Sequence, residues 1–401
     1  MASRAQVLAA DHQAFRSTTR FAGLDGVRAL AALAVIFFHF GGSRWDLLQG
    51  WIGVHVFFTL SGFLITTLLV RERRRTGRIG LRAFALRRAY RIVPLYVLVL
   101  AVTVVASLLL GGYVSSGLAA GLPYYLTFSG ELYDHGSPFG IAWSLGVEEK
   151  FYIVLPLLLA AAGFLVRRSR TGRRAVAALA AVLAATGATV LIGSAVDRLQ
   201  LGSVTYAYVS ILMGVALALA LDHPRGFAVL RPLRHPVIGL AAAAAFVALQ
   251  LNVRTIGTGR GPHWQTVVPL YAMAVALLLV AVTAPGPVQR LLSWRALRFV
   301  GQRSYALYLT QSLVGALVSV VLHGGSTLKA TSVAVVGLGL AHILQRTVEA
   351  PCIAAGRRRI QRPTRGSSSA SDRGAAERTA EPGPARSASR PRSVASPATP
   401  G

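Results

Sequence analysis

The sequence predicts an all-α polytopic membrane protein with about ten transmembrane helices, both termini cytoplasmic, and a disordered basic C-terminal tail. Three observations predict this class. Residues of the set AVILMFWYC make up 54% of the 401-residue chain and charged residues only 14%, against about 25% charged in an ordinary soluble protein. A soluble chain of this length needs a charged surface that this composition cannot supply. Apolar runs near 20 residues recur along the sequence, long enough to cross a ~30 Å hydrocarbon layer. The arginines, finally, stand in clusters between those runs. The net charge of +28, from 42 basic and 14 acidic residues, would point to nucleic acid in a soluble protein, but this placement is that of loops between spans, so the lipid bilayer and not nucleic acid is the expected partner. Cys352 is the sole cysteine, which excludes a disulfide scaffold. Lysine appears only at Lys150 and Lys329 while Ala and Gly abound, a composition that fits a GC-rich bacterial genome and a multi-pass protein of the bacterial cell membrane.

The expected spans are 24–40, 51–70, 92–112, 143–166, 175–193, 203–221, 236–251, 265–283, 299–322 and 330–348. Backbone satisfaction in lipid makes them helices. The run 119–130 is short and broken by Pro123, so it is expected to dip into the bilayer at most. Charge supports that choice. With 119–130 uncrossed, the nine arginines of 71–91 and the five of 167–174 fall on one side together with both termini, which the positive-inside rule makes the cytoplasm. Residues 1–20 form a cytoplasmic segment without the apolar core of a cleavable signal, and 21–351 form the membrane domain. Residues 352–401, rich in Arg, Ser, Pro, Ala and Gly and without periodicity, are expected to be a disordered cytoplasmic tail.

Ionisable groups inside spans are costly and are therefore candidates for function. The first span, LDGVRALAALAVIFFHF, carries Arg28 near its cytoplasmic start and His39 near its outer end. Eleven residues of helix bring the second side chain back to within about 20° of the first and about 16 Å further along. The second span, entered from outside as WIGVHVFFTLSGFLITTLLV, places His55 one turn in, followed by Thr59 and Gly62 on a polar and small stripe suited to a tunnel or to close helix packing. The fourth, WSLGVEEKFYIVLP, places Glu148 and Glu149 at a similar depth, with Lys150 beside them. At the cytoplasmic end Arg87, Arg88 and Arg91 precede the third span and Arg303 enters the ninth. A cationic mouth of this kind suits phosphates, to which Arg offers paired bonds. Two poles result: basic inside, histidine plus carboxylate near the outer face.

LDGVRALAALAVIFFHF, GVHVFFTLSGFLIT, RRAYRIVPLY, WSLGVEEKFYIVLP, GQRSYALYL and the closing VEAP together resemble, in order and spacing over residues 21–351, the bacterial acyltransferase family 3. These are integral-membrane O-acyltransferases acting on surface glycans, peptidoglycan or macrolides. The resemblance implies an acyl-CoA donor, a sugar-containing acceptor, and no metal or prosthetic group. It carries Arg28 and His39 onto the family's Arg–His pair, Arg87, Arg88 and Arg91 onto its basic loop, and Glu148 and Glu149 onto its WSL-x-VEE block. Two positions depart from the pattern: His55 stands where the family has Asp, and Thr310 and Gln311 where it has Trp-His.

Acyl transfer from a thioester to a hydroxyl needs a base as the oxygen attacks, a role for which a neutral imidazole is suited. His39 is the expected base, with His55 in support and Glu148 or Glu149 orienting the ring. Arg28, Arg87, Arg88, Arg91 and Arg303 are the expected donor-binding cations. Ser61, Trp143, Ser144, Tyr305 and Gln311 are the expected acceptor-side contacts, Ser61 and Ser144 also as oxyanion donors. Direct transfer is favoured because no Ser or Cys lies in an activated-nucleophile motif. A transporter or flippase would also place polar residues on spans, and would bind without acyl-CoA turnover. An intramembrane serine protease built on Ser61 and His39 would need Gly-x-Ser-Gly, where this chain has Thr59 first.

Overall fold

The computed structural model describes residues 3–133, 136–166, 202–257 and 264–361, with a few positions between 181 and 192. Most of the expected span at 175–193, the loop 167–174 and most of the tail, 362–401, lie outside the described residues. Among the described residues every regular element is a helix. Chain order gives α1 Arg4–Ser17, α2 Ala22–Phe40, α3 Gly53–Thr76, α4 Leu81–Leu109, α5 Leu118–Leu126 and α6 Trp143–Val166, then α7 Gly202–Asp222, α8 Pro224–Leu230, α9 Pro236–Gly257 and α10 Trp264–Val282. The last third comprises α11 Pro287–Leu292, α12 Arg295–Gln302, α13 Ser304–Ser319, α14 Thr327–Leu344 and α15 Ala350–Gln361, the last two joined by a π turn at Gln345–Glu349.

Among the described residues, six helices are long and apolar enough to cross a membrane: Ala22–Phe40, Gly50–Thr76, Leu81–Leu109, Thr205–Asp222, Pro236–Arg254 and Thr327–Gln361. Each overlaps an expected span. Their outward faces carry large apolar side chains such as Val102, Val105, Val247 and Val335, a pattern that suits hydrocarbon and not water. α6 has the length of a span, but Glu148, Glu149 and Lys150 interrupt its apolar run; α10 contributes a shorter apolar stretch, Thr266–Val282. α5 has nine residues, about 13 Å at 1.5 Å per residue, so it is too short to cross.

Two expectations change. The run 299–322 is not one helix: it breaks at Arg303 (φ −104°, ψ 1°) into α12 and α13. The buried Arg303 side chain turns there to donate from Nε to His342 Nδ1 (2.9 Å) and from a terminal nitrogen to the Phe299 carbonyl (2.8 Å). The tail does not lose structure at Cys352, since α15 continues to Gln361 and Gly356 lies against the Tyr90 ring, where a Cβ would stand 2.8–2.9 Å away. Residues 1–20 contain a helix, α1, opened by a reciprocal cap in which Ser3 accepts from the Gln6 amide and Gln6 from that of Ser3.

α2 is the hub, touching α3, α11, α12, α13 and α14. Its small residues let the neighbours close in: a Cβ on Gly26 would overlap the Leu292 carbonyl, and one on Gly301 the Asp25 carbonyl. α3 and α7 meet the same way, since a Cβ on Gly62 would strike the Ile211 carbonyl and one on Gly214 the Thr59 carbonyl. Of the two roles open to the Thr59–Gly62 stripe, Gly62 takes close packing. α2 runs from the arginine-rich end of the bundle, with Arg28, to the opposite end, with His39. α3 returns from His55 to Arg71–Arg75.

Candidate active site

Three cavities follow one another between these helices. At the arginine-rich end a cleft of about 830 Å³ is walled by α1, the end of α3, the start of α4 and the start of α15; its lining includes Arg71, Arg74, Arg87, Arg88 and Arg91. Arg88 and Arg91 also line a second cavity of about 90 Å³, together with Arg28, Ser61, Glu148 and Tyr152. Val54 and Tyr308 separate that neck from a third cavity of about 200 Å³, lined by His39, His55, Trp143 and Tyr206. Each cavity thus shares wall residues with the next. The row of cavities leads from the cationic mouth to the two histidines, with Arg28 of α2 lining the second and His39 of α2 the third.

In the mouth, Arg88 is held by aromatic faces, its guanidinium 5.7 Å from the Phe84 ring centroid and 5.0 Å from that of Tyr152. Arg87 is exposed and bound to Glu72 (2.9 Å). Arg28 does not reach back to the bundle end: it lines the neck, and its buried Nε has no hydrogen-bond partner among the described residues. Arg303 lines none of the three cavities, because the helix break turns it toward His342 and lays it over Phe299 at 3.6 Å.

The neck holds the largest departure from the two-pole picture. Glu148 accepts from Ser61 Oγ (2.9 Å) and from the Tyr152 hydroxyl (2.6 Å), and that hydroxyl also lies 3.2 Å from Ser61 Oγ. It therefore stands with Arg28 and Arg88 and orients neither histidine. The reason is depth: α6 begins at Trp143, which lines the histidine cavity, and five residues at 1.5 Å carry Glu148 about 7.5 Å further along. Glu149 lines none of the three cavities, and its buried Oε1 has no hydrogen-bond partner among the described residues. Lys150 pairs with Glu131 and donates to the Phe128 carbonyl (3.0 Å), tying α6 to the turn before it.

At the far end His39 Nδ1 lies 2.8 Å from the Val35 carbonyl one turn back. A carbonyl only accepts, so Nδ1 carries the hydrogen and the lone pair of the neutral ring sits on Nε2. The backbone does what was expected of a carboxylate. His55 is buried and its Nδ1 meets Ser210 Oγ at 2.8 Å. Trp143 lines the histidine cavity with its ring 5.8 Å from that of Phe58. Ser144 lies 3.1 Å from the Tyr308 hydroxyl and 3.3 Å from the Ile141 carbonyl, while Tyr305 donates to the Ile92 carbonyl (2.8 Å). The Ser61 hydroxyl hydrogen is taken by Glu148, so Ser61 offers no proton to an oxyanion in this arrangement. Gln311 is buried, lines none of the cavities and has neither amide atom bonded among the described residues.

Tyr152, Tyr308 and Ser210 are site residues that the sequence reading missed. Tyr152 stands four after Glu148 and Tyr308 three after Tyr305, spacings that put each pair on one helix face. Ser210 has no such local signal.

The family model described as an acyltransferase domain matches residues 21–346, most of the chain. This protein belongs to acyltransferase family 3. Within that family it is 32% identical over 304 residues to a Bacillus subtilis (strain 168) protein provisionally named peptidoglycan O-acetyltransferase YrhL, covering 72% of this chain and 47% of the relative. It is 27% identical over 314 residues to the peptidoglycan O-acetyltransferase OatA of Listeria monocytogenes serovar 1/2a, covering 73% and 50%. The chain spans about half the length of these curated relatives. No solved structure matches it. Like the family, this acyltransferase is a protein of the bacterial membrane, and its apolar helices are the physical basis of that location.

Proposed function

We propose that this family 3 member moves an acyl group, acetyl in the first instance, from acyl-CoA to a hydroxyl of a sugar-containing acceptor, with His39 Nε2 as general base. The observation that carries this reading is the run of three cavities with shared walls, cationic at one end and imidazole-lined at the other. The donor's phosphates sit among Arg87, Arg88 and Arg91, its pantetheine arm threads the neck past Arg28 and Ser61, and its thioester reaches the histidine cavity. There His39 Nε2 takes the acceptor hydroxyl proton as the oxygen attacks the carbonyl. The C–S bond then breaks, and the imidazolium returns the proton to the departing thiolate. The acceptor is a cell-wall glycan, a choice supported by the printed names of the relatives.

The arginine-rich end faces the cytoplasm in this reading, ten spans cross, and both termini lie inside, which keeps the arginines of 71–91 and 167–174 on one side. A cysteine-labelling scan on a Cys352→Ser background tests it. Reagent applied from outside that labels position 170 overturns the arrangement.

The reaction is tested with membranes containing the full chain, radiolabelled acetyl-CoA and peptidoglycan fragments. The expected product is a base-labile labelled ester on the glycan with one CoA released per ester. Binding of donor and glycan with no ester formed would overturn the reading in favour of a transporter.

A further inference from the structure

The cleft at the arginine-rich end has a wall that the family domain does not supply. The family match begins at residue 21, and α1 ends at Ser17, yet Gln13, Arg16, Ser17 and Thr19 line the cleft. This wall is fixed in place. Arg71 of α3 donates to the Phe15 carbonyl (2.9 Å) and to that of Thr18, capping the end of α1, while its guanidinium lies 5.7 and 5.4 Å from the Phe15 and Phe21 rings. His12 Nε2 meets the Asp222 carbonyl at 3.1 Å, and its ring lies 4.8 Å from that of Phe227. Burial holds the His12 imidazole below its ordinary pKa, and since a carbonyl only accepts, Nε2–H is the donor. Arg231 pairs with Asp11 at 3.0 Å.

The charge in the cleft is larger than its internal partners account for. Eight arginines line it against one acid, Glu72. Three are occupied: Arg71 by the carbonyls of α1, Arg74 by Asp222, and Arg87 by Glu72. Arg88 and Arg91 stand at the neck. Arg16, Arg75 and Arg357 line only the cleft, and none has a carboxylate within ion-pair distance among the described residues. Like charges gathered around one hollow repel unless an anion lies between them. At about 830 Å³ the hollow has the size of a nucleotide-scale site, whereas a diphosphate alone needs only the part at the neck.

We propose that α1 and the end of α3 build a second phosphate subsite, with Arg16 and Arg75 as its cations, that binds the phosphate on the ribose of a CoA-type donor while Arg88 and Arg91 hold the diphosphate. The proposal rests on the acyl-CoA reading above and makes the segment ahead of the family domain a specificity element: it selects a donor with a phosphorylated ribose over one lacking it. Arg16 also lies in the last turn of α1, where a cation complements the helix dipole. That structural role is indifferent to the ligand's phosphates, which separates the two.

The test is calorimetry on the full chain in nanodiscs, with CoA and 3′-dephospho-CoA as ligands and with neutral or anionic lipid. Wild type is expected to bind CoA about tenfold more tightly than dephospho-CoA, the scale of one charge-assisted contact. Arg16→Gln and Arg75→Gln each remove that advantage and leave the dephospho-CoA affinity unchanged, while Arg16→Lys keeps most of it. Arg75 is exposed, so its variant folds even where Arg16→Gln disturbs α1. Equal affinity of wild type for the two ligands, or equal loss for both in the variants, overturns the subsite alone. So does an effect that appears only with anionic lipid, which assigns the cations to headgroups. No binding of either ligand by wild type overturns the donor reading and the subsite with it.

Discussion

At the arginine-rich end a wide cleft presents cations from α1, α3, α4 and α15, several of them exposed. At the opposite end a cavity about a quarter as large holds two imidazoles, and each has one ring nitrogen fixed by one partner, the Val35 carbonyl or Ser210. The difference teaches where sensitivity lies. A polyanion held by many cations loses one contact and keeps the rest, so substitutions at the mouth act in proportion. In the proposed reading the proton transfer has one atom at one place, so substitutions at the histidines are expected to act as a switch.

The largest effect is therefore expected from His39→Ala, which should lower turnover by about 10²–10⁴-fold, the range of a lost general base, with CoA affinity retained. His55→Ala should be partial and His55→Asp active. Measured turnover on labelled acetyl-CoA decides, and an active His39→Ala beside a dead His55→Ala would move the base to α3. Next comes the neck. Ser61→Phe should fill its small volume and stop transfer while calorimetry still shows CoA bound; unaffected transfer would mean that the donor arm takes another path. Removing the hydroxyl in Tyr152→Phe strips one of the two bonds to Glu148, worth about 1.5–3 kcal/mol for a charged acceptor, and is expected to lower turnover more than it raises KM. Arg88→Ala and Arg91→Ala should each raise KM for acyl-CoA about tenfold with kcat little changed. The smallest effects belong to Arg87→Ala, because Glu72 already occupies that exposed side chain, and to Arg303→Ala, which should leave KM unchanged and lower only the melting temperature. A KM effect of Arg303→Ala equal to that of Arg88→Ala would break the comparison.

The class of fold was legible because lipid imposes a rule that composition alone reveals: long apolar runs, helical, with charge kept between them. Arg28 and His39 were legible because they lie on one helix, where spacing fixes direction. What spacing cannot give is how one helix is turned against another. The eye places Glu148 beside His55 because both sit near the start of a span, yet α6 descends past Trp143 before Glu148 faces inward and meets Ser61. Ser210 answers His55 across 155 residues, a pairing with no trace in either local pattern. The break at Arg303 was hidden because no Pro marks it in GQRSYALYL, and the bond to His342 that turns that residue lies 39 positions away.

The neck of about 90 Å³ amounts to some three water molecules at their bulk volume of about 30 Å³ each. A passage open to both faces of a membrane threatens the proton and ion gradients that the membrane exists to hold. Here the constriction is ringed by the guanidinium groups of Arg28, Arg88 and Arg91, fixed positive charges of the kind that exclude cations and protons from aqueous pores. In the proposed reading, the same residues that draw in an anionic donor also oppose the passage of cations and protons, so the acyl arm could thread the neck without opening a conducting pore.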